Sequence, residues 1–208
     1  MMIRVERGEK KYQGDRSLLT NVDCNFHSGN LYALTGPSGI GKSTMLDCLA
    51  KLNYFTSGDI WVEDINLDDI KPLDYFRNYL GYLFQNYALI EEDSVQRNLN
   101  ISRHFPKQDL VSALDHFSLD ESYLKRKVFT LSGGEAQRVA LARLYLKNPK
   151  IVLADEPTGA LDFQNTQIVV QSLRHLADMD KIVIVATHDR FVAGQADQVI
   201  DVSQYSPH

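Results

Sequence analysis

A chain of 208 residues, 44% hydrophobic and 24% charged, carries enough apolar side chain for one domain with a sizeable core, with room for a subdomain. Its net charge of −5 lacks the basic excess of nucleic-acid-binding domains, so nucleic acid is not an expected partner. Cys24 and Cys48 show no metal-ligand spacing and are expected as reduced, buried thiols. Met1 to Glu6 has no apolar signal-peptide core, and no stretch reaches the about 18 apolar residues of a membrane span.

Short apolar runs alternate with helical patterns, the rhythm of an α/β domain. Leu31 to Thr35 reads as a buried strand feeding a glycine-rich loop, and Lys42 to Leu52 as the helix after it. Gly58 to Val62 and Gly81 to Phe84 read as further strands, the second ending at Gln85. From Tyr87 to Thr130 strand signals vanish. Leu110, Ala113, Leu114 and Phe117 fall at i, i+3, i+4 and i+7, one apolar helix face, which predicts an inserted helical subdomain. Lys150 to Leu153 and Ile182 to Ala186 are continuous apolar, β-branched-rich runs, as in the central strands of a parallel sheet. Little sequence follows Val202, and no regulatory domain is expected there.

Three segments carry chemistry. Gly36-Pro37-Ser38-Gly39-Ile40-Gly41-Lys42-Ser43 fits G-x-x-x-x-G-K-[ST] between a predicted strand and a predicted helix. Its glycines let backbone N–H groups approach phosphate oxygens, and the helix points its positive end at the same place. Lys42 is expected to reach the β- and γ-phosphates and the Ser43 hydroxyl to ligate Mg²⁺. Asp155 stands at the carboxyl end of an apolar strand, where ligands bind in open α/β sheets, and suits the same Mg²⁺. Glu156, one residue on, is placed to orient or deprotonate a water, a role worth about 10²–10⁴-fold; the plainer reading is a solvated loop acid.

Ser132-Gly133-Gly134-Glu135, after Leu131, has the form of a capping box. Ala136, Val139, Ala140 and Leu144 mark a buried helix face that ends at Asn148-Pro149. A well-capped helix is the minimal reading. Two glycines in a first turn nevertheless lower helix propensity while exposing N–H groups to an anion, so the cap reads as a second anion site. Two phosphate sites on one small domain make sense when two copies share them, each closing its Ser132-Gly133-Gly134 on the nucleotide of the other.

With these motifs in this order, the chain resembles the ATP-binding subunits of ABC transporters along nearly its whole length. The resemblance implies an α/β fold: a P-loop NTPase core with a mostly parallel sheet, N-terminal antiparallel β elements and an inserted helical subdomain. It implies a single domain over 1–208, with the catalytic core at 1–86 and 131–208. The helical subdomain would begin at 87–130 and continue into the helix after Ser132. ATP and Mg²⁺ are the implied cofactors, and Glu156, His188 and Lys42 the implied catalytic groups. Tyr12 would stack on adenine. Residues 36–43, Thr44 and Gln85 would complete the ATP site, and Ser132 to Glu135 would bind ATP across the dimer. Ser43, Gln85 and Asp155 would hold Mg²⁺. Gly159-Ala160-Leu161-Asp162 resembles the loop through which two copies communicate, with Asp162 its key residue. Ile40 and Gly29-Asn30 depart from common family residues without touching a catalytic role.

The implied partners are a separate transmembrane subunit and a second ATPase, identical or similar, at the cytoplasmic face of a membrane. Within the family, Phe84 to Ile90, Leu131 to Arg143 and Ala154 to Asp162 look most like the lipoprotein-releasing, macrolide-efflux and bacteriocin-export ATPases. Tyr87, Leu89 and Ile90 are expected to help form a groove for a membrane-subunit helix or, equally, to pack in the subdomain core. The competing readings are a regulatory ABC ATPase that moves no cargo, a soluble ABC ATPase of DNA repair or translation, and a P-loop kinase or GTPase. The last gives no reason for Leu131 to Glu135.

Overall fold

The computed structural model describes residues 1–12, 17–159 and 161–207. β1 (Met2–Lys11) and β2 (Ser17–His27) pair antiparallel, and β3 (Asn30–Thr35) leaves them for a second sheet. After α1 (Lys42–Leu49) the chain returns to the first sheet through β4 (Ser57–Val62) and β5 (Ile65–Asn66). Then follow α2 (Pro72–Asn78), β6 (Leu80–Leu83), α3 (Val95–Leu99), α4 (Lys107–His116), α5 (Gly133–Lys147) and β7 (Ile151–Asp155). The last elements are α6 (Phe163–Asp178), β8 (Ile182–Ala186), α7 (Arg190–Ala193) and β9 (Gln198–Asp201). The antiparallel sheet has the order β2-β1-β4-β5, and the parallel sheet the order β6-β7-β8-β3-β9.

The continuous apolar runs form strands covered on both faces, and the pleat divides their side chains. Val152, Ala154, Val183 and Val185 join the core under α3 to α6. Ile151, Leu153, Ile182 and Ile184 join the opposite core, with Met45, Leu46 and Leu49 of α1 and with Ile3, Val5 and Phe26 of the antiparallel sheet. The parallel sheet is thus the middle layer, which is why it reads as unbroken hydrophobic sequence.

The helix predicted from Lys42 to Leu52 ends at Leu49. Lys51 takes the left-handed conformation (φ 58°), and its buried ammonium donates to the carbonyls of Leu67, Asp68 and Ile70 at 2.6, 3.1 and 2.5 Å. Those bonds tie the helix end to the turn after β5, a tertiary demand that local propensity does not encode.

Between Tyr87 and Thr130 the described structure holds α3, α4 and two 3₁₀ turns, with a single isolated bridge from Ser94 to Lys127. Leu110, Ala113, Leu114 and Phe117 are all buried, as their spacing predicted. Buried Asn98 stitches the segment inward: its Oδ1 accepts from the Ile90 N–H at 2.7 Å, and its Nδ2 donates to the Ile90 carbonyl at 3.0 Å. Tyr87 and Leu89 pack half-buried against this core, the second of the two readings open for them, while Ile90 is 47% exposed.

Cys48 is buried and Cys24 half-buried, both unpaired. Burial pushes each thiol up to about 12, the character of inert packing residues.

Candidate nucleotide site

Four neighbouring strands of the parallel sheet end at one place. In sheet order these are β6, β7, β8 and β3. Gln85 follows β6, Asp155 and Glu156 close β7, His188 follows β8, and the loop of Gly36 to Gly41 follows β3. Carboxyl ends of parallel strands are where open α/β sheets bind ligands, because the turns into the following helices leave a crevice there.

The glycine loop owes its shape to positive φ angles that L side chains rarely adopt. At Gly41, φ is 111°, and a Cβ there would meet Leu19 at 3.0 Å. Gly41 is also the N-cap of α1, so the loop passes directly into the helix. Lys42 is buried, with its Nζ donating to the carbonyls of Gly36 at 2.9 Å and Pro37 at 3.2 Å. Pro37, Ser38 and Gly39 form the exposed crest of the loop, while Ile40 is half-buried against the core.

The acids sit opposite. The Ser43 hydroxyl donates to Asp155 Oδ1 at 3.0 Å, joining the two residues expected at the metal. Desolvation raises the Asp155 carboxyl above its usual range, and the Ser43 hydrogen bond partly offsets this. Glu156 adopts φ 43°, a strained left-handed conformation for a non-glycine residue, with its N–H bonded to the Ala186 carbonyl at 2.9 Å. Its side chain is 17% exposed. Oε1 lies 4.0 Å from Lys42 Nζ, and Oε2 lies 2.9 Å from His188 Nδ1. The solvated-acid reading of Glu156 does not fit these contacts.

The cleft so formed measures about 480 Å³ and is lined by Tyr12, Leu18, residues of the glycine loop, Lys42 to Thr44, Gln85, Glu156, Gly159 and His188. Tyr12, 51% exposed, stands at its rim with its hydroxyl 3.3 Å from Thr44 Oγ1 and Lys10 Nζ 5.7 Å from its ring centre. Leu18 adds an apolar wall that sequence reading missed. Its signal was weak, a leucine in an ordinary strand pattern.

Ser132 to Glu135 lie outside this cleft. Ser132 caps α5 with both halves of the capping box: its hydroxyl accepts from the Glu135 N–H at 3.3 Å, and Glu135 Oε2 accepts from the Ser132 N–H at 2.7 Å. The Tyr123 hydroxyl donates to Glu135 Oε1 at 2.5 Å, with Arg126 at 3.4 Å. These contacts, the Tyr123 bond foremost, hold the Glu135 carboxyl down to about 2. The carboxylate is therefore spent on its own chain, and the surface the tip offers an anion is Ser132 and Gly133. A Cβ at Gly133 would meet nothing within 4 Å.

Sequence reasoning missed the polar struts that join this tip to the cleft. Buried Gln137 donates from Nε2 to the Pro157 carbonyl, immediately after Glu156. Arg138 donates to Asn165 Oδ1 at 2.9 Å, and Asn165 Nδ2 donates to both carboxylate oxygens of Asp162 at 3.0 Å. Asp162 is the N-cap of α6, accepting from the Asn165 N–H at 2.8 Å. Of the loop that resembles a communication element, Ala160 lies outside the described residues.

Comparison with known proteins places the chain in a family. The family model described as ABC transporter matches residues 19–159. The chain is 36% identical over 206 residues to the phosphonates import ATP-binding protein PhnC of Wolinella succinogenes, covering 90% of this chain and 74% of that one. It is 35% identical to the ABC transporter ATP-binding protein MJ0796 of Methanocaldococcus jannaschii, covering 96% and 92%. A probable export ATP-binding/permease protein of Pseudomonas fluorescens is also 35% identical, over 91% of this chain but 31% of that longer protein. The dimeric structure of MJ0796 superposes with a TM-score of 0.85 at 31% identity, covering 97% and 95% of the two chains. The chain belongs to the ABC transporter family and is an ATP-binding domain of that family. Its activity is ATP hydrolysis, and its fold is the ABC ATPase fold with a parallel sheet beside an antiparallel one.

Proposed function

We propose that the chain is the ATP-binding subunit of a transporter, and that two copies close head to tail on two ATP molecules to drive separate membrane subunits. One observation carries this reading. Glu156, His188, Lys42 and the Ser43–Asp155 pair come together at one cleft, while the capped tip of Ser132 and Gly133 lies outside its lining and is exposed. A tip with backbone N–H groups, open space above Gly133 and no nucleotide site of its own fits the site of a second copy. MJ0796 has been solved as a dimer, including a post-hydrolysis state bound to ADP and Pi. The domain then runs over 1–208, with 1–86 and 131–208 as catalytic core and 87–130 opening the helical subdomain.

On this reading Lys42 exchanges its bonds to the Gly36 and Pro37 carbonyls for β- and γ-phosphate oxygens. Tyr12 stacks on the adenine at the rim. Glu156 accepts the proton of the attacking water, and His188, bonded to the other carboxylate oxygen, fixes its orientation and touches the γ-phosphate. Ser43 and Asp155, with Gln85 beside them, are hard oxygen donors that fit Mg²⁺. Among the described residues no cluster of three His, Cys, Asp or Glu could hold a metal; in the proposed site nucleotide phosphates would supply the remaining ligands. When bound, Mg²⁺ neutralises charge on the β- and γ-phosphate oxygens.

The membrane partner has a candidate seat. Leu73, 78% exposed, and Ile101, 55% exposed, flank a groove of about 640 Å³ together with Phe76, Arg77, Arg103 and Lys147. Exposed leucine and isoleucine beside three cations suit an amphipathic helix bearing acidic side chains. Among the described residues no helix is long and apolar enough to cross a membrane. The proposed location, peripheral at the cytoplasmic face, rests on the family's separate membrane subunits. The resemblance of Phe84 to Ile90 and Ala154 to Asp162 to the lipoprotein-release, macrolide-efflux and bacteriocin-export group favours export of a peptide, lipoprotein or drug-like cargo.

The first experiment is the mass of the Glu156→Gln variant by size-exclusion with light scattering, with and without Mg-ATP. An ATP-dependent shift from monomer to dimer is the expected result. A monomer that binds ATP without shifting would overturn closure by this chain alone.

A further inference from the structure

Arg143, on the last full turn of α5, reaches back across the fold to the turn after Gln85. Its guanidinium donates to two successive backbone carbonyls, from Nη1 to Ala88 O at 2.6 Å and from Nη2 to Tyr87 O at 2.7 Å. Both residues carry side chains and both lie in the left-handed region, Tyr87 at φ 61° and Ala88 at φ 44°. Two such residues in succession are unfavourable for L-amino acids, and they persist where surrounding contacts over-determine them.

Tyr87 and Leu89 pack their side chains on the core and Asn98 holds Ile90, but the backbone of the turn itself has little other local support. The Tyr87 N–H reaches the Phe84 carbonyl at 2.9 Å, and the Ala88 N–H reaches Asn86 Oδ1 at 3.3 Å. The planar guanidinium fork suits two parallel acceptors, which an ammonium cannot span in the same way. Desolvation alone holds the Arg143 guanidinium below its ordinary range, and Lys147, one turn further, is lowered by burial and by the Arg143 charge. The guanidinium is thus a partly desolvated cation aimed at peptide oxygens. Upstream, Tyr82 and Phe84 stack at 4.1 Å, which steadies the chain entering Gln85. The segment from Gln85 to Ala88 therefore runs from a steadied strand end into a turn whose two carbonyls are held by Arg143, with the Tyr87 and Leu89 side chains packed on the core beyond it.

We propose that Arg143 is a positioning residue for hydrolysis: by clamping the Tyr87-Ala88 turn it sets where Gln85 stands in the nucleotide cleft, and it ties that position to α5. The proposal rests on the reading of Gln85 as a member of the ATP site. When α5 shifts, the clamp carries the turn with it and Gln85 moves relative to Ser43 and Glu156. The helix that presents Ser132 and Gly133 at one end thereby governs a residue of its own chain's cleft from the other.

The test is a kinetic cycle on the full chain, measuring kcat and KM for ATP of Arg143→Lys, Gln85→Ala and the double variant. Arg143→Lys should lower kcat about tenfold with KM little changed, since one charge-assisted bond is lost. The double variant should be no slower than Gln85→Ala alone. Adding Ala88→Gly to Arg143→Lys should restore much of kcat, because glycine holds a positive φ without a clamp. Additive losses in the double variant, or no rescue by glycine, would overturn the clamp. If lysine is not tolerated at 143, Arg143→Met keeps the buried stem and enters the same cycle. A Gln85→Ala enzyme of unchanged rate would remove Gln85 from the site, a distinct result that also ends the proposal.

Discussion

Glu156 Oε2 stands 2.9 Å from His188 Nδ1, an acid and an imidazole delivered by the adjacent ends of β7 and β8. The imidazole fixes one carboxylate oxygen and leaves the other toward Lys42. Replacing His188 with alanine should leave ATP affinity within about twofold while lowering kcat by about 10²-fold, the scale of a mispositioned base. Single-turnover phosphate release and titration with a fluorescent ATP analogue separate the two effects. A parallel loss of affinity would reassign His188 to binding.

The two glycines of the α5 cap should fail in opposite ways. A methyl group at Gly133 meets nothing within 4 Å of its own chain. Gly133→Ala should therefore fold as stably as the parent or better, by up to about 1 kcal/mol, yet lose ATP-driven dimerisation because the methyl obstructs the approaching nucleotide. At Gly134 a Cβ meets the Asn165 side chain at 3.0 Å, and that side chain is held by Asp162 and Arg138. Gly134→Ala should lower the melting temperature of the monomer itself. Thermal melts without nucleotide, beside light scattering with it, distinguish the two.

Glu135 predicts a pH window. Its folded carboxyl is held at about 2, first by Tyr123, against an ordinary value of 4.5. A depressed acid contributes stability above its unfolded value and loses it as pH falls toward its folded one. The parent should exceed Glu135→Gln in stability at pH 6, and the gap should close between pH 4.5 and 2. Urea unfolding across that range measures it. A constant gap would mean that Glu135 stabilises the cap without its charge.

Gln137 should matter twice. Gln137→Leu keeps the bulk but orphans the Pro157 carbonyl, at a cost of about 1–3 kcal/mol. Because Pro157 adjoins Glu156, kcat should fall as well. Denaturant unfolding and ATPase rates on one preparation read both effects. Lost stability with an unchanged rate would confine Gln137 to the fold.

Much of this was legible beforehand because the decisive signals are local. The glycine loop, the strand runs and the capping box are each set within a few residues, and the structure places them where the sequence put them. The α4 face follows from a 3.6-residue period and is buried as expected. What escaped was long-range. Arg143 to Ala88 spans 55 residues and Arg138 to Asn165 spans 27, and neither arginine differs in pattern from a solvated one. Tyr87 and Leu89 stay open between groove and core in the sequence, because an apolar run after a strand does not tell which side chains turn inward; the structure packs both against the core. The early end of α1 was set by a lysine bonding to carbonyls 16 to 19 residues on.

The struts from α5 to Pro157 and Asp162 have a genetic consequence. The proposed head-to-tail pair would split each reaction between two chains, so a lesion at Ser132 or Gly133 would disable the nucleotide held by the other copy. A lesion at Gln137 or Asn165 also disturbs the nucleotide of its own. Co-expressed with intact chains, the first kind should leave one working site in every mixed pair, and the second should impair both. The pattern of dominance among mutant alleles would then trace which contacts lie across the symmetry axis and which run within one polypeptide.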